Sequence, residues 1–495
     1  MNQSANQPSS LKQKTISGLF WSFSDNAASQ LIHFVVGIIL ARILSPAEFG
    51  LVGMITIFIA VSQSFVDSGF QQALIRKKDA DNTDFSTVFY FNLAVGVFFY
   101  LVLFLSSGLI SRFYEEDQLT GIIRVFGLVI VINSIALIQR VRLSKSINFK
   151  LQTKISIASS VISGSVGIYM AYNGFGVWSL VWRTLINQFL QAILLWIFSK
   201  WSPVLKFSSG SLKQMFSFGS RLLISGLLDT IYKNINLLVI GKFFSAADLG
   251  FYSRADQFQK LPSANITSTV QRVSYPILAQ VQDEPARLRE AYRKIIKSTM
   301  FISFSALIAM AAIAKPMVIV LIGEKWLPSV LFLQMLCFAG MLYPLHAINL
   351  NMLNVKGRSD LFLRLEIIKK LLAVPVIIIG ILFGIKVMIA GMILNSFLSY
   401  FINSYYSGRL INYPLKEQVI DILPSFFIST LTGAILITPS LLFDSHYTMI
   451  LFGQVIAGIL IIVVLSEITR NDAYLEMKKI VIDKVKGQIT TKIKA

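Results

Sequence analysis

Long apolar runs alternate with short polar connections from about residue 18 to residue 466, and each run has the length of a bilayer-crossing helix. Spanning the hydrocarbon core takes about 20 mainly apolar residues. Fourteen spans are expected, at about 18–41, 48–66, 85–107, 121–139, 155–172, 176–198, 218–241, 249–281, 298–322, 329–353, 362–383, 387–408, 419–440 and 446–466. Runs such as Val374-Pro-Val-Ile-Ile-Ile379 do not alternate in polarity, as the strands of a membrane barrel would. The expected fold class is therefore all-α, a polytopic membrane protein.

Composition agrees. Apolar residues make up 55% of the chain, charged residues 14%, and the mean hydropathy is +0.67; a soluble domain carries about 25% charge. The net charge of +20 changes the picture only through its distribution. With the N-terminus in the cytoplasm, inner connections hold roughly 30 of the 45 Lys and Arg, and outer ones only Arg42, Arg112, Lys242, Lys315, Lys325 and Lys386. That asymmetry places both termini inside and leaves no need for a nucleic-acid partner, since no binding module accompanies the charge. Lys12 and Lys14 before an apolar stretch resemble a signal peptide, but Asp25, Asn26, Gln30 and His33 interrupt it, so a retained first span is expected. Cys337 is the only cysteine, which excludes an intramolecular disulfide and a cysteine metal cluster. No cofactor is expected.

An internal echo organises the spans. Arg42-Ile-Leu-Ser45-Pro-Ala-Glu48-Phe49-Gly50 matches Lys242-Phe-Phe-Ser245-Ala-Ala-Asp248-Leu249-Gly250 at a constant offset of 200 residues. A fainter match links Gly174-Phe-Gly-Val-Trp to Gly384-Ile-Lys-Val-Met. The pattern predicts two six-span lobes, 1–210 and 211–412, followed by an extra pair of spans at 413–470 and a basic cytoplasmic tail at 471–495. Six spans is an even number, so both lobes start on the cytoplasmic side, related by an axis along the membrane normal. Duplicated halves of this kind suit a transporter that rocks around a central site.

Charges within spans mark that site, because each costs about 2.5–3.5 kcal/mol near the bilayer centre even on a lenient scale. Span 1 carries Asp25 and His33, span 7 Arg221, Asp229 and Lys233, and span 8 Arg254, Asp256, Lys260 and Arg272 with Gln257. Span 11 carries Glu366, Lys369 and Lys370, and Arg124 and Arg183 lie in spans 4 and 6. Arg124, Arg221 and Arg272 are near enough to span ends to snorkel. Asp229 and Lys233 are spaced to neutralise each other on one helical face. Span 8 is too polar for lipid and must line a hydrated cavity. The expected cavity set is His33, Lys233, Arg254, Gln257, Lys260 and Arg272, with Asp25 and Asp229 as candidates for proton or sodium coupling. An excess of Lys and Arg suits an anionic cargo such as a pyrophosphate or acidic sugar.

Several motifs add a family likeness: Lys14-Thr-Ile-Ser-Gly18 with Trp21, Ala41-Arg-Ile-Leu with Phe49-Gly-Leu51, and Asp67-Ser-Gly-Phe70 with Leu74-Ile-Arg-Lys77. Further on come Tyr275-Pro276 with Gln282-Asp283, Gly323-Glu-Lys-Trp326, and Leu333-Gln-Met-Leu-Cys337. In their order and spacing the chain resembles the Wzx-type polysaccharide flippases of the multidrug/oligosaccharidyl-lipid/polysaccharide exporter superfamily, in particular the colanic acid exporter-like branch. The resemblance implies a cationic cavity surrounded by spans 1, 2, 7 and 8. Its cargo would be an undecaprenyl-pyrophosphate-linked oligosaccharide, moved by alternating access across the bacterial inner membrane while its tail stays among membrane lipids. It also implies a polysaccharide polymerase and glycosyltransferases as candidate partners. Span 2 departs from that pattern, holding no charge between Glu48 and Asp67. A cation-coupled multidrug exporter would want an acidic cavity and about twelve spans. A polymerase or ligase of polysaccharide assembly would want a large outer loop with Arg or His, which the chain lacks, so no enzymatic activity is expected.

Overall fold

The computed structural model describes residues 11–67, 69–443, 446–479 and 482–483. Side chains at 11–20, 22–24, 26, 218 and 221 fall outside the description, and with them the Lys14–Gly18 motif and Arg221, as does the basic segment 484–495. Among the described residues every regular element is helical. The chain forms two compact units, Met1–Gly250 and Phe251–Ala495.

The first unit contains α1 (Leu11–Ile43), α2 (Pro46–Asp67), α3 (Phe70–Arg76), α4 (Asn82–Tyr114), α5 (Gln118–Phe126), α6 (Leu128–Lys145), α7 (Phe149–Tyr172), α8 (Val177–Ser199), α9 (Ser209–Phe243) and the first turn of α10 (Ala246–Gln280). Small and hydroxylated residues let its helices approach closely, as is usual where apolar burial gives no drive for association. Ser29 of α1 shares a 2.9 Å hydrogen bond with Ser156 of α7, and Gly164 of α7 leaves room for Val36. On α8, Asn187 donates to Ser160 and Ser163 of α7 at 3.4 and 3.1 Å. The α2–α9 contact carries Ser64 bonded to Thr230 at 2.9 Å.

The second unit continues through α10 to α11 (Pro285–Ala312), α12 (Ala314–Ile322), a 3-10 turn (Glu324–Trp326), α13 (Pro328–Gly340), α14 (Tyr343–Val355), α15 (Ser359–Phe383), α16 (Ile385–Leu410), α17 (Leu415–Leu442) and α18 (Tyr447–Ile468). Arg293 of α11 grips Asp421 of α17 through two contacts at 2.5 and 2.6 Å, while Tyr413 donates to the same carboxylate at 2.6 Å. This fork clamps the last helical pair onto the unit. Gln454 of α18 closes the pair, donating to Ser440 of α17 at 2.8 Å.

All fourteen expected spans fall on helix, three of them as broken pairs: α5 with α6, α11 with α12, and α13 with α14. The count of crossings is lower by one measure. Eleven described stretches are long and apolar enough to cross a membrane. Of the three remaining helices, α10 and α15 are interrupted by the charged residues already singled out, and the described side chains of α1 supply a shorter apolar stretch, Ala27–Ile43.

The 200-residue echo has a local cause. Helices α1 and α9 end at Ile43 and Phe243, and α2 and α10 begin at Pro46 and Ala246, so both breaks keep the same offset. At the first break Glu48 accepts from the backbone N–H and the hydroxyl of Ser45 at 2.6 and 2.9 Å, and its own N–H reaches back to Ser45 Oγ at 3.4 Å. At the second, Asp248 accepts from the N–H and hydroxyl of Ser245 at 3.3 and 2.6 Å, and its N–H donates to Ser245 Oγ at 3.0 Å. Both are capping boxes, which satisfy the orphan N–H groups of a helix start.

Candidate functional site: the polar helices

The expected site residues divide between the units. In the first, Asp25 is half-buried and accepts from Ser29 Oγ at 3.2 Å, which fixes it at the α1–α7 contact. His33, two turns further along α1, is exposed, and its Nδ1 lies 3.0 Å from an Nη2 of Arg183 on α8. A guanidinium only donates, so Nδ1 accepts and the ring is neutral with its proton on Nε2. At this level of the first unit the cation is Arg183, and His33 is its acceptor.

On α9, Asp229 and Lys233 are both exposed. Their spacing allows an ion pair, yet none forms; Lys233 has no carboxylate partner among the described residues. A cation held on a long apolar helix without a counter-charge requires a hydrated surface or an anion.

In the second unit, α10 presents two different arrangements. Arg254 is only 9% exposed, stands 6.0 Å from the ring centre of the buried Trp326, and donates to Gln257 at 2.7 Å. Its stem is packed and its head is held by an aromatic face. Lys260 is more open, with its side chain 54% exposed, but Asp256 one turn earlier binds its ammonium at 2.6 Å. Gln257 and Arg272 are exposed, and Arg272 makes no ion pair among the described residues. Pro262 lies between these groups, inside α10, where it removes a backbone donor, a common cause of helix kinks.

Outside the spans, Glu115 follows α4 and accepts from Lys242 at 2.9 Å. That bond, with the charge behind it, holds the Glu115 carboxyl below the usual range for glutamate. No three His, Cys, Asp or Glu side chains converge as metal ligands among the described residues.

Residues 39–331, more than half of the chain, match the family model described as "Polysaccharide biosynthesis protein". The chain belongs to this family. It is 29% identical to the teichuronic acid biosynthesis protein TuaB of Bacillus subtilis over 354 residues, covering 71% of this chain and 73% of that protein. To the lipopolysaccharide biosynthesis protein WzxC of Escherichia coli it is 26% identical over 400 residues, covering 79% and 81%. The succinoglycan biosynthesis transport protein ExoT of Rhizobium meliloti is 24% identical over 62% of each chain.

Among solved structures, the lipid II flippase MurJ in an inward closed conformation superposes with a TM-score of 0.74 over 92% of this chain and 99% of that one. An inward-facing multidrug resistance transporter of the MATE family superposes at 0.61 over 77% and 95%. Both share 15% identity, and the likeness is one of fold. This polysaccharide biosynthesis protein is thus a multi-pass membrane protein with the helical architecture of flippases and exporters.

Sequence reasoning left Arg183 out of the site, although a signal was present. The α8 segment Val177–Ser199 contains Arg183 and no acid, so no neighbour on its own helix can neutralise it.

Proposed function

We propose that this family member is a flippase, carrying an undecaprenyl-pyrophosphate-linked oligosaccharide from the cytoplasmic to the outer leaflet of a bacterial inner membrane. Both termini lie in the cytoplasm, and the cargo is built and consumed by glycosyltransferases and a polysaccharide polymerase. The observation that carries the reading is Lys233, an exposed cation on a long apolar helix with no carboxylate partner among the described residues. A pyrophosphate-sugar head group cannot cross hydrocarbon unaided, and fixed cations in a hydrated lumen meet its charge at little reorganisation cost.

In this reading Lys233, Arg254 and Lys260 receive the anion, Gln257 and Arg272 border it, and residues 1–210 and 211–412 are the two lobes that alternate around it. Asp25 and Asp229 are the candidate proton or sodium sites. Lys233→Ala should reduce flipping of a fluorescent pyrophosphate-linked oligosaccharide in proteoliposomes by tenfold or more, at normal protein levels. Undiminished flipping by that variant would remove the cationic-cavity reading. The coupling step is tested separately: flipping that persists after both ion gradients are collapsed excludes it.

A further inference from the structure

We propose that Arg183 and His33 form a second anion-binding site, within the first unit, that takes a phosphate or pyrophosphate group. The proposal rests on the cationic-cavity reading and extends it to Arg183, which lies outside the expected set.

Among the described residues Arg183 has one hydrogen-bond partner, the His33 ring, and no carboxylate. A guanidinium carries five N–H donors in a planar fork, so most of them are left to be matched. Neither α7 nor α8, the helices that enclose its stem, contains an acid. On α1 the nearest acid is Asp25, whose side chain is engaged by Ser29.

The position of the group is built. Gly167 of α7 lies beneath the Arg183 stem, where a Cβ would come within 2.8 Å of Arg183 Cβ. On α8, Arg183, Asn187 and Gln191 follow one another at one-turn intervals along a single face. The lower two are consumed: Asn187 by Ser160 and Ser163, and Gln191 by donating to Asn187 at 2.8 Å. Arg183, at the end of that stripe, has donors to spare, and it turns toward His33 of α1.

His33 completes the site. Accepting at Nδ1 fixes its proton on Nε2, so the ring offers a further N–H donor, and the residue is exposed. The pair thus presents donors and no acceptor, which suits phosphate oxygens. Arg is the side chain that binds such groups in bidentate fashion.

The test uses the purified full-length protein in neutral detergent, with inorganic pyrophosphate as the probe in calorimetric titrations. Arg183→Gln should weaken binding by about tenfold or more, the loss of charge-assisted hydrogen bonds. Arg183→Lys keeps the charge without the fork and should recover only part of it. His33→Ala should weaken binding less than Arg183→Gln. Should Arg183→Gln fail to fold, the Arg183→Lys titration carries the test, and unchanged affinity in that variant overturns the bidentate site. Affinity lost in Lys233→Ala but intact in Arg183→Gln overturns this inference and leaves the flippase reading standing. No pyrophosphate binding by the wild type overturns the anion site, while the flipping assay still tests the transporter. Titrations in nanodiscs separate the sources: competition confined to phosphatidylglycerol discs assigns the site to a bilayer headgroup, and equal binding in neutral discs assigns it to cargo.

Discussion

Gly50 of α2 lies so close to Ala246 at the start of α10 that a Cβ on Gly50 would sit 1.7 Å from the Ala246 carbonyl oxygen. The reciprocal contact is also present: a Cβ on Gly250 would sit 1.9 Å from the carbonyl oxygen of Pro46. Two helix starts therefore cross with backbone against backbone, and the echo in the sequence records a symmetric contact. Glycine is required at both positions by space, since the obstacle is main chain.

Gly50→Ala and Gly250→Ala should each lower stability by about 1–3 kcal/mol or more, because the crossing helices must separate to admit the methyl group. Gly108→Ala is the control, with nothing within 4 Å of its added Cβ; it should be neutral or slightly stabilising. Thermal unfolding midpoints of the three purified variants check this, and similar losses at Gly50 and Gly250 are expected from the symmetry.

The capping boxes should respond alike as well. Ser45→Ala and Ser245→Ala each remove a hydroxyl that both donates to the N3 acid and accepts from its backbone N–H. The expected cost is about 0.5–2 kcal/mol apiece, read as shifts in the same midpoints.

The Glu115–Lys242 pair predicts a pH dependence. Its carboxyl titrates below the ordinary glutamate range in the folded protein, so its contribution is present at neutral pH and is lost as pH falls through that lowered value. The Glu115 side chain is 81% exposed, and the effect is small and sensitive to salt. The difference in unfolding midpoint between wild type and Glu115→Gln should shrink on acidification and on adding salt. A difference that grows toward acid would contradict the assignment.

Asp421 is the hub of its cluster, receiving Arg293 and Tyr413 and lying 3.7 Å from Lys297. The Asp421 side chain is 6% exposed, against 48% for Arg293. Asp421→Ala strands several donors at once, whereas Arg293→Ala leaves an acid that still has partners. The first should cost about 1–3 kcal/mol, discounted from the cost of breaking a fully buried pair because Arg293 reaches water; the second should cost less. Comparing unfolding of the two variants decides the order.

The helical architecture was legible because each span needs a long apolar run, and the turns at Ser45 and Ser245 were legible because a capping box is written within four residues. Asp256 and Lys260 also pair at helical spacing, as local sequence allows. The same spacing misleads at Asp229 and Lys233, which stay apart although one turn separates them. What sequence could not supply was partnership at a distance. The His33–Arg183 bond joins residues 150 positions apart, and the packing of Arg254 on Trp326 depends on how α10 meets the 3-10 turn. Spacing also said that α15 holds an acid and two lysines; the fold determined that Glu366 takes Lys369.

The two capped breaks have a mechanical meaning. Only Leu44 and Ser45 separate α1 from α2, and only Phe244 and Ser245 separate α9 from α10. Each connection is pinned by three hydrogen bonds. Loops this short and this tied are elbows set at one angle, so a pair of helices joined by one swings as a single stiff piece. Flexing is left to the helices themselves, and within α10 the missing backbone donor at Pro262, between Lys260 and Arg272, is a place where it costs least.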